Sequence, residues 1–125
     1  MRLKRADFRQ LVSEALDALP DGFAPYLENI AVMVEDWPTV EELTEAGLDP
    51  EQETLFGLYV GVPLTERTDS NVLQFPDEIR IYQGPIENAC ATPEEIRREV
   101  QTTVVHEIAH FFGMSEQQIT ELGWG

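Results

Sequence analysis

The segment that most constrains this chain is residues 106–116, which reads H-E-I-A-H-F-F-G-M-S-E and fits the pattern H-E-x-x-H-x-x-G-x-x-E. It contains both of the chain's two histidines. Residues four positions apart lie on the same face of an α-helix, so His106 and His110 can direct both imidazoles at one point. Imidazole nitrogen is a common zinc ligand. The spacing therefore predicts a helix that carries two ligands of a metal ion.

Three further positions of the motif complete a catalytic arrangement. Glu107 follows the first histidine directly, and a carboxylate beside the metal can accept a proton from water. Gly113 can adopt the left-handed conformation that ends helices, so the chain can turn back toward the ion. Glu116 would then supply a carboxylate oxygen. Two histidines, one glutamate and an open fourth position are typical of a catalytic rather than a structural zinc site.

The third ligand and the metal both have alternatives. An acid in the first turn of a helix, where Glu116 is expected, stabilises that helix without any metal. Glu121, about one helical turn further along, is the alternative ligand. Two histidines and a carboxylate also suit iron or manganese, although zinc is the metal that we expect. The remaining alternative is a chance occurrence of the motif, in which the histidines bind no metal.

The residues before the motif favour one long helix. Thr92 is a typical capping residue, Pro93 suits the first helical position, and Glu95 stands three residues after Thr92, where a capping box has Glu or Gln. We therefore predict a helix over residues 94–112, with the motif in its last two turns. Its buried faces would carry Ile96, Val100, Thr103, Val104, Ala109 and Phe111.

The motif resembles that of the zincin metallopeptidases. Metzincins carry a third histidine where this chain has Glu116, and gluzincins take their glutamate from a second helix further along. The chain is most similar to a small bacterial zincin-like family sometimes called minimal metalloproteases, and the similarity extends to residues 57–67 and 102–105. It implies a zinc-binding α+β fold in a single domain spanning residues 1–125. A small mixed sheet of about three strands would pack on helices that include the active-site helix.

Hydrophobic periodicity predicts the longer elements elsewhere in the chain. Helical spacing of apolar residues over 4–19 gives one stripe, which consists of Phe8, Leu11, Val12, Ala15, Leu16 and Leu19. Apolar and β-branched runs predict strands at residues 29–35, 55–60 and 78–82. Gly57 within the second strand indicates a bulge or a close backbone approach.

Capping residues predict the shorter elements. Thr39 would begin a helix over residues 40–46, and Ser115 would begin a helix over 116–122 with Gln118 as its reciprocal partner. Gly84 and Pro85 should end the third strand. Residues 86–91 are then expected to form a loop or a short helical turn.

Several residues could contact a substrate. In zincins, one edge strand runs beside the active-site helix and pairs with extended substrate, and residues 55–60 or 78–82 could be that strand here. Tyr59 or Tyr82 could donate to an oxyanion, although a tyrosine in a strand more often serves packing. Arg67 could bind a carboxylate or an oxyanion, or it could form an ordinary surface ion pair.

Charge and cysteine content disfavour several classes of function. The net charge is −16, from 24 acidic and 8 basic residues, so the surface repels phosphate backbones and nucleic acid is not an expected partner. No apolar stretch is long enough to span a bilayer, so no membrane contact is expected. The single cysteine, Cys90, excludes an internal disulfide and favours a cytoplasmic location. No histidine near it in sequence would activate it as a nucleophile.

The sequence thus predicts a zinc-dependent peptidase. Zinc would be held by His106, His110 and Glu116, and Glu107 would be the general base for a metal-activated water that hydrolyses a peptide bond. The expected partner is a peptide or protein substrate. The alternative is a zinc-binding domain with little or no protease activity, acting as a structural or interaction module, because few residues follow the motif to wall a cleft.

Overall fold

The computed structural model describes residues 2–19, 30–61 and 77–121, apart from the side chains of Glu116, Ile119 and Thr120. The helices are α1 (Arg5–Asp17), α2 (Val40–Glu45), α3 (Gln83–Ala89), α4 (Pro93–Phe111) and α5 (Glu116–Glu121). The strands are β1 (Ile30–Glu35), β2 (Gly57–Val60) and β3 (Asp77–Tyr82). The helices and strands predicted from periodicity and capping are confirmed, with ends that differ by at most two residues.

The strands form one mixed sheet in the order β1-β3-β2. β1 pairs with β3 in the parallel direction, and β2 pairs with β3 in the antiparallel direction. Ile79, in the middle of β3, is opposite Val32 of β1 on one side and Tyr59 of β2 on the other. The α+β fold with a small mixed sheet is therefore confirmed.

β3 is the central strand of this sheet, so residues 78–82 are not the edge strand that could pair with substrate. The alternating pattern indicated correctly that the two faces of the strand differ, because Ile79 and Ile81 are buried whereas Glu78 and Arg80 are partly exposed. A face pattern, however, carries no information about how many neighbours pair along the edges of a strand. Among the described strands, the edge beside the histidine helix is β2.

α1 and α4 pack against each other on one face of the sheet. The stripe predicted on α1 is confirmed, because Phe8, Val12 and Ala15 are buried and the three leucines of the stripe pack partly buried on the same core. All six positions predicted to be buried on α4 are buried. None of the described helices combines the length and the apolar character that a bilayer span needs.

The junction between β3 and α3 differs from the expectation. The strand ends before Gly84 and Pro85, as predicted, but a helix of seven residues follows at once instead of a loop or a single turn. Pro85 lies in the first turn, where a helix does not need the N–H that proline lacks. A Cβ added at Gly84 would clash with the ring of Trp37, and the Gly84 N–H donates to the Asp36 carbonyl at 2.8 Å. These residues therefore form a tight strand-to-helix connection.

Polar caps fix the starts of α2 and α4. Thr39 accepts a hydrogen bond from the Glu42 N–H at 3.0 Å, and the Glu42 carboxylate accepts one from the Thr39 N–H at 2.8 Å. At α4, Thr92 accepts from the Glu95 N–H at 3.2 Å, but the Glu95 carboxylate accepts from the Ala91 N–H at 2.9 Å. The capping box predicted at α4 is therefore correct only for the threonine.

Glu42 links α2 to the face of the sheet opposite α4. Its carboxylate accepts hydrogen bonds from Arg80 Nη1 at 2.5 Å and from the Tyr82 hydroxyl at 2.6 Å. Burial opposes the ionisation of Glu42, but the hydrogen bonds from Tyr82, Thr39 and Arg80 outweigh burial and lower its pKa to about 2. Burial and the bond to Glu42 raise the pKa of Tyr82. The carboxylate is thus ionised and held by two donors from the central strand.

We expect the substitution Glu42→Gln to lower the free energy of unfolding by about 1–3 kcal/mol at pH 7, because Arg80 and Tyr82 lose a charged acceptor that is largely buried. Glu42 protonates near its ordinary pKa of 4.5 in the unfolded chain and near 2 in the folded protein. Its contribution to stability is therefore complete above about pH 4.5 and declines as the pH falls toward 2.

Urea unfolding at pH 7 and at pH 3 measures this difference. The gap between the parent and Glu42→Gln should be smaller at pH 3. Glu41→Gln, which removes an exposed acid from the same helix, serves as the control and should change stability little at either pH. A gap that is the same at both pH values would contradict the assignment of the shift to Glu42.

Candidate metal centre

The last two turns of α4 bring the two histidines together. The Nε2 atoms of His106 and His110 are 3.1 Å apart. Two nitrogens that each lie about 2.0–2.1 Å from one tetrahedral ion are separated by about 3.3 Å. The ring planes are inclined at 73° with centroids 4.8 Å apart, so the imidazoles converge rather than stack. The pair therefore fits a shared metal ion with little movement.

Glu107 lies between α4 and the edge strand β2. Its side chain is 7% exposed, and it lines the same cavity as both histidines. A Cβ added at Gly57 of β2 would lie 3.1 Å from Glu107 Cγ, which shows how closely the strand covers this carboxylate. A carboxylate that adjoins the histidine pair in a confined space is well placed to exchange a proton with water there.

Gly57 sets the distance between β2 and α4. A Cβ at this position would also lie 2.7 Å from Thr103 Cγ2 and 3.3 Å from the Arg80 carbonyl oxygen. Thr103 and Glu107 are one turn apart on α4, and both are buried. The strand can approach them only because residue 57 has no side chain. The close backbone approach predicted for Gly57 is therefore confirmed.

Gly113 ends the histidine helix and turns the chain. Its φ is 82°, in the left-handed region that favours glycine. Its N–H donates to the His110 carbonyl at 2.9 Å, and the Met114 N–H donates to the Ala109 carbonyl at 3.1 Å. These are the two hydrogen bonds of a Schellman motif. The prediction that Gly113 ends the helix is confirmed.

A reciprocal cap begins α5 directly after this turn. The Ser115 hydroxyl accepts from the Gln118 N–H at 3.2 Å, and the Gln118 side chain accepts from the Ser115 N–H at 2.8 Å. Glu116 is accordingly the first residue of α5, as predicted. The side chain of Glu116 lies outside the described residues, so its role as the third ligand stays a prediction.

The structure does not bring Glu121, the alternative ligand, to the histidines. Glu121 is exposed and accepts a hydrogen bond from Gln117 of its own helix at 3.2 Å. In the described part of the chain, no three His, Cys, Asp or Glu side chains are grouped so that they could hold a metal ion. Glu116 therefore remains the candidate for the third position. Arg67 also lies outside the described residues, and its role stays a prediction.

Of the two tyrosines considered as oxyanion donors, Tyr59 lines the cavity of the histidines and Tyr82 lies on the other face of the sheet. The Tyr59 hydroxyl donates to Asp77 Oδ1 at 2.7 Å, and Asp77 is 2% exposed. The Tyr59 ring meets Phe111 edge to face, with ring centroids 6.0 Å apart. Tyr59 is thus a packed wall of the cavity. Its partner Asp77 was missed from sequence, although an acid on the core-facing side of a strand is a usable signal.

Two of the cavities lined by described residues flank Glu107. One has a volume of about 530 Å³ and contains both histidines and Gly113. The other has a volume of about 360 Å³ and extends along α4 toward Glu99. Both are lined by Leu55, Gly57, His106 and Glu107. The candidate centre therefore lies where two cavities meet and is open to a ligand from both.

Cys90 takes no part in this centre. It is buried at the end of α3. Burial raises the pKa of its thiol, and the nearby carboxylates of Glu99 and Glu95 raise it further. A raised pKa disfavours the thiolate that a nucleophile requires. These surroundings agree with the expectation that Cys90 is not activated as a nucleophile.

Comparison with known proteins identifies the fold and its family. A family model described as a zincin-like metallopeptidase matches residues 27–124. The fold is similar to the solved structure of a conserved hypothetical protein from Thermo thermophilus, with a TM-score of 0.60, 22% identity, and coverage of 88% of this chain and 94% of that chain. At that identity the similarity shows the fold alone. No protein with a curated description matches the chain.

The fold and the centre together define a class. It is a small α+β domain of metallopeptidase type, in which a helix with an H-E-x-x-H segment packs beneath a mixed three-stranded sheet. The family match covers most of the chain, and the chain belongs to the zincin-like metallopeptidases. The resemblance drawn from the motif is therefore confirmed.

We expect the substitution Gly57→Ala to destabilise the protein by about 1–3 kcal/mol, because the added methyl group overpacks the contact between β2 and α4. The clash is mainly with Thr103 Cγ2, at 2.7 Å. Urea unfolding should therefore show that Thr103→Ser, which removes this methyl group, recovers much of the loss in the double variant. Gly47→Ala cannot serve as a control, because Gly47 has a φ of 79° and a side chain at that backbone conformation is itself strained. If the losses of stability caused by Gly57→Ala and by Thr103→Ser simply add in the double variant, the proposed clash between residues 57 and 103 is contradicted.

Proposed function

We propose that this protein is a zinc-dependent peptidase that hydrolyses peptide bonds with Glu107 as the general base. The observation that carries the proposal is the 3.1 Å separation of the His106 and His110 Nε2 atoms. A buried carboxylate adjoins this pair at the meeting point of two cavities. Family membership supports the same class of chemistry.

The proposed ligands are His106, His110 and Glu116, with the fourth position left for water or substrate. The two imidazoles supply nitrogen donors at a separation that suits a tetrahedral ion. The Schellman turn at Gly113 and the cap at Ser115 determine the direction in which residue 116 enters α5. When bound, a zinc ion supplies positive charge that acidifies water and polarises a peptide carbonyl.

Glu107 performs the proton transfers in this proposal. Its carboxylate accepts the proton of the attacking water and then delivers it to the nitrogen of the leaving amine. Its low exposure and the cover provided by Gly57 exclude bulk water from one side of the reacting group. Exclusion of solvent strengthens the electrostatic interactions on which such a step depends.

The expected substrate is an extended peptide or protein segment. β2 is an edge strand among the described strands and adjoins α4, so a peptide could pair with its main chain and lie above Glu107. The net charge of −16 disfavours nucleic acid as a partner. The one cysteine, buried Cys90, is consistent with a cytoplasmic protein, which we also propose.

We expect Glu107→Gln to lower the rate of peptide hydrolysis at least about 100-fold, because glutamine cannot accept the proton of water. The zinc content of the purified variant should equal that of the parent. A peptide library digested with both proteins, together with metal analysis, makes the measurement. Equal cleavage by parent and variant would refute the role of Glu107. Zinc bound at full occupancy with no cleavage by the parent would instead favour a structural or interaction module.

We expect Glu116→Ala to weaken zinc binding by at least about tenfold, because the metal loses a carboxylate ligand. Competition with a chromophoric chelator gives the dissociation constant directly and requires no enzymatic turnover. Glu121→Ala is the matched control, since it removes an exposed acid from the same short helix. The proposal for Glu116 fails if its variant binds zinc as tightly as the control.

A further inference from the structure

We propose that the cavity of about 360 Å³ beside Glu107 binds a basic side chain of the substrate, and that Glu99 selects it. The side chain would be a lysine or arginine next to the peptide bond that is cleaved. This inference rests on the proposed peptidase function and gives that function a substrate class. The position of the cavity, the chemistry of its walls and its charge each support this inference.

The position of the cavity links it to the reacting bond. Gly57, His106 and Glu107 line it and also line the larger cavity that contains both histidines. A peptide paired with β2 would project alternate side chains toward α4 and away from it. A side chain that points toward α4 beside Glu107 has this cavity directly in front of it. The substrate residue that carries this side chain therefore lies next to the peptide bond that is attacked by the water activated by Glu107.

The walls of the cavity suit a long aliphatic stem. Leu55 and Phe56 form one side, and Thr102 and Thr103 form the other. Glu99 is seven residues before His106 on the same helix, which places it about 10 Å away along the helix axis. Lysine and arginine pack their methylene groups on apolar surface and keep their charge at the far end. A basic side chain that enters beside His106 would thus direct its charge toward Glu99.

The charge of the cavity also favours a cation. Apart from His106 and Glu107 at its entrance, Glu99 is the one ionisable residue among the described residues that line the cavity. None of the ion pairs formed between described residues includes Glu99. The connector that leads into the wall at Thr54 exposes three more carboxylates, from Asp49, Glu51 and Glu53. An acidic side chain would be repelled here, and a neutral one would leave Glu99 without a charged partner.

The first test compares substrates that differ in one residue. A peptide that the parent cleaves is prepared with lysine, norleucine or glutamate next to the cleaved bond, and kcat/KM is measured for each. The parent should prefer lysine to its uncharged analogue norleucine by about five- to tenfold. Glu99→Gln should bring this ratio close to one, and Glu99→Lys should make glutamate the preferred residue.

Glu94→Gln is the matched control, because Glu94 is an acid on the same helix that lines the groove beside α1 instead. It should keep the lysine preference of the parent. If Glu99→Gln and Glu94→Gln both keep that preference, the inference is overturned while the peptidase function stands. An equal loss of preference in both variants would assign the effect to overall charge and would also overturn it.

Binding provides a second readout that does not depend on turnover. Fluorescently labelled lysine and norleucine peptides are titrated, by polarisation, into the zinc-loaded Glu107→Gln protein with and without Glu99→Gln. Tighter binding of the lysine peptide that disappears with Glu99→Gln supports the pocket. If no peptide is cleaved by the parent but this binding difference is present, the proposed hydrolysis fails and the pocket stands. Equal binding of the two peptides overturns the pocket.

Discussion

The contact between β2 and α4 at Gly57 is the constraint on which the rest of the centre depends. Because residue 57 has no side chain, the strand lies close enough to cover Thr103 and Glu107. The same approach makes β2 a wall of both cavities at the histidine pair. A wider gap would leave Glu107 in bulk solvent and would separate the edge of the sheet from the helix that carries the ligands. In this small fold, the position of β2 therefore determines the surroundings in which Glu107 and the histidines act.

Local rules accounted for much of this structure. The i, i+4 spacing of His106 and His110 determines that their imidazoles share a face, and glycine at position 113 and serine at 115 determine how the chain leaves that face. The order of the strands was less accessible, because the alternation in residues 78–82 describes the faces of β3 and not its neighbours. The hydrogen bond from Tyr59 to Asp77 joins residues 18 positions apart, and no local pattern encodes such a contact.

The two faces of the sheet are stabilised by different forces. On one face, α1 and α4 bury apolar side chains against β1 and β3, and this burial is the main source of stability in a domain of this size. On the other face, the ionised Glu42 accepts from Arg80 and Tyr82 and ties α2 to the central strand. α2 ends next to Ala46, which lines the cavity of the histidines. The contacts of Glu42 therefore help to fix the helix that precedes Ala46, one lining residue of this cavity.

An edge strand that can pair with a peptide can equally pair with the same strand of another molecule. Such edge-to-edge pairing is a common first step of aggregation. β2 has a partner on one side only among the described strands, and it is short. Every molecule carries a net charge of −16, so two copies repel each other before their edges meet, whereas a cationic peptide is attracted. At physiological ionic strength, dissolved salt largely screens this repulsion at separations beyond about 8–10 Å. The protein should therefore associate more readily as the ionic strength rises, because its negative charge is what keeps the β2 edges of two molecules apart.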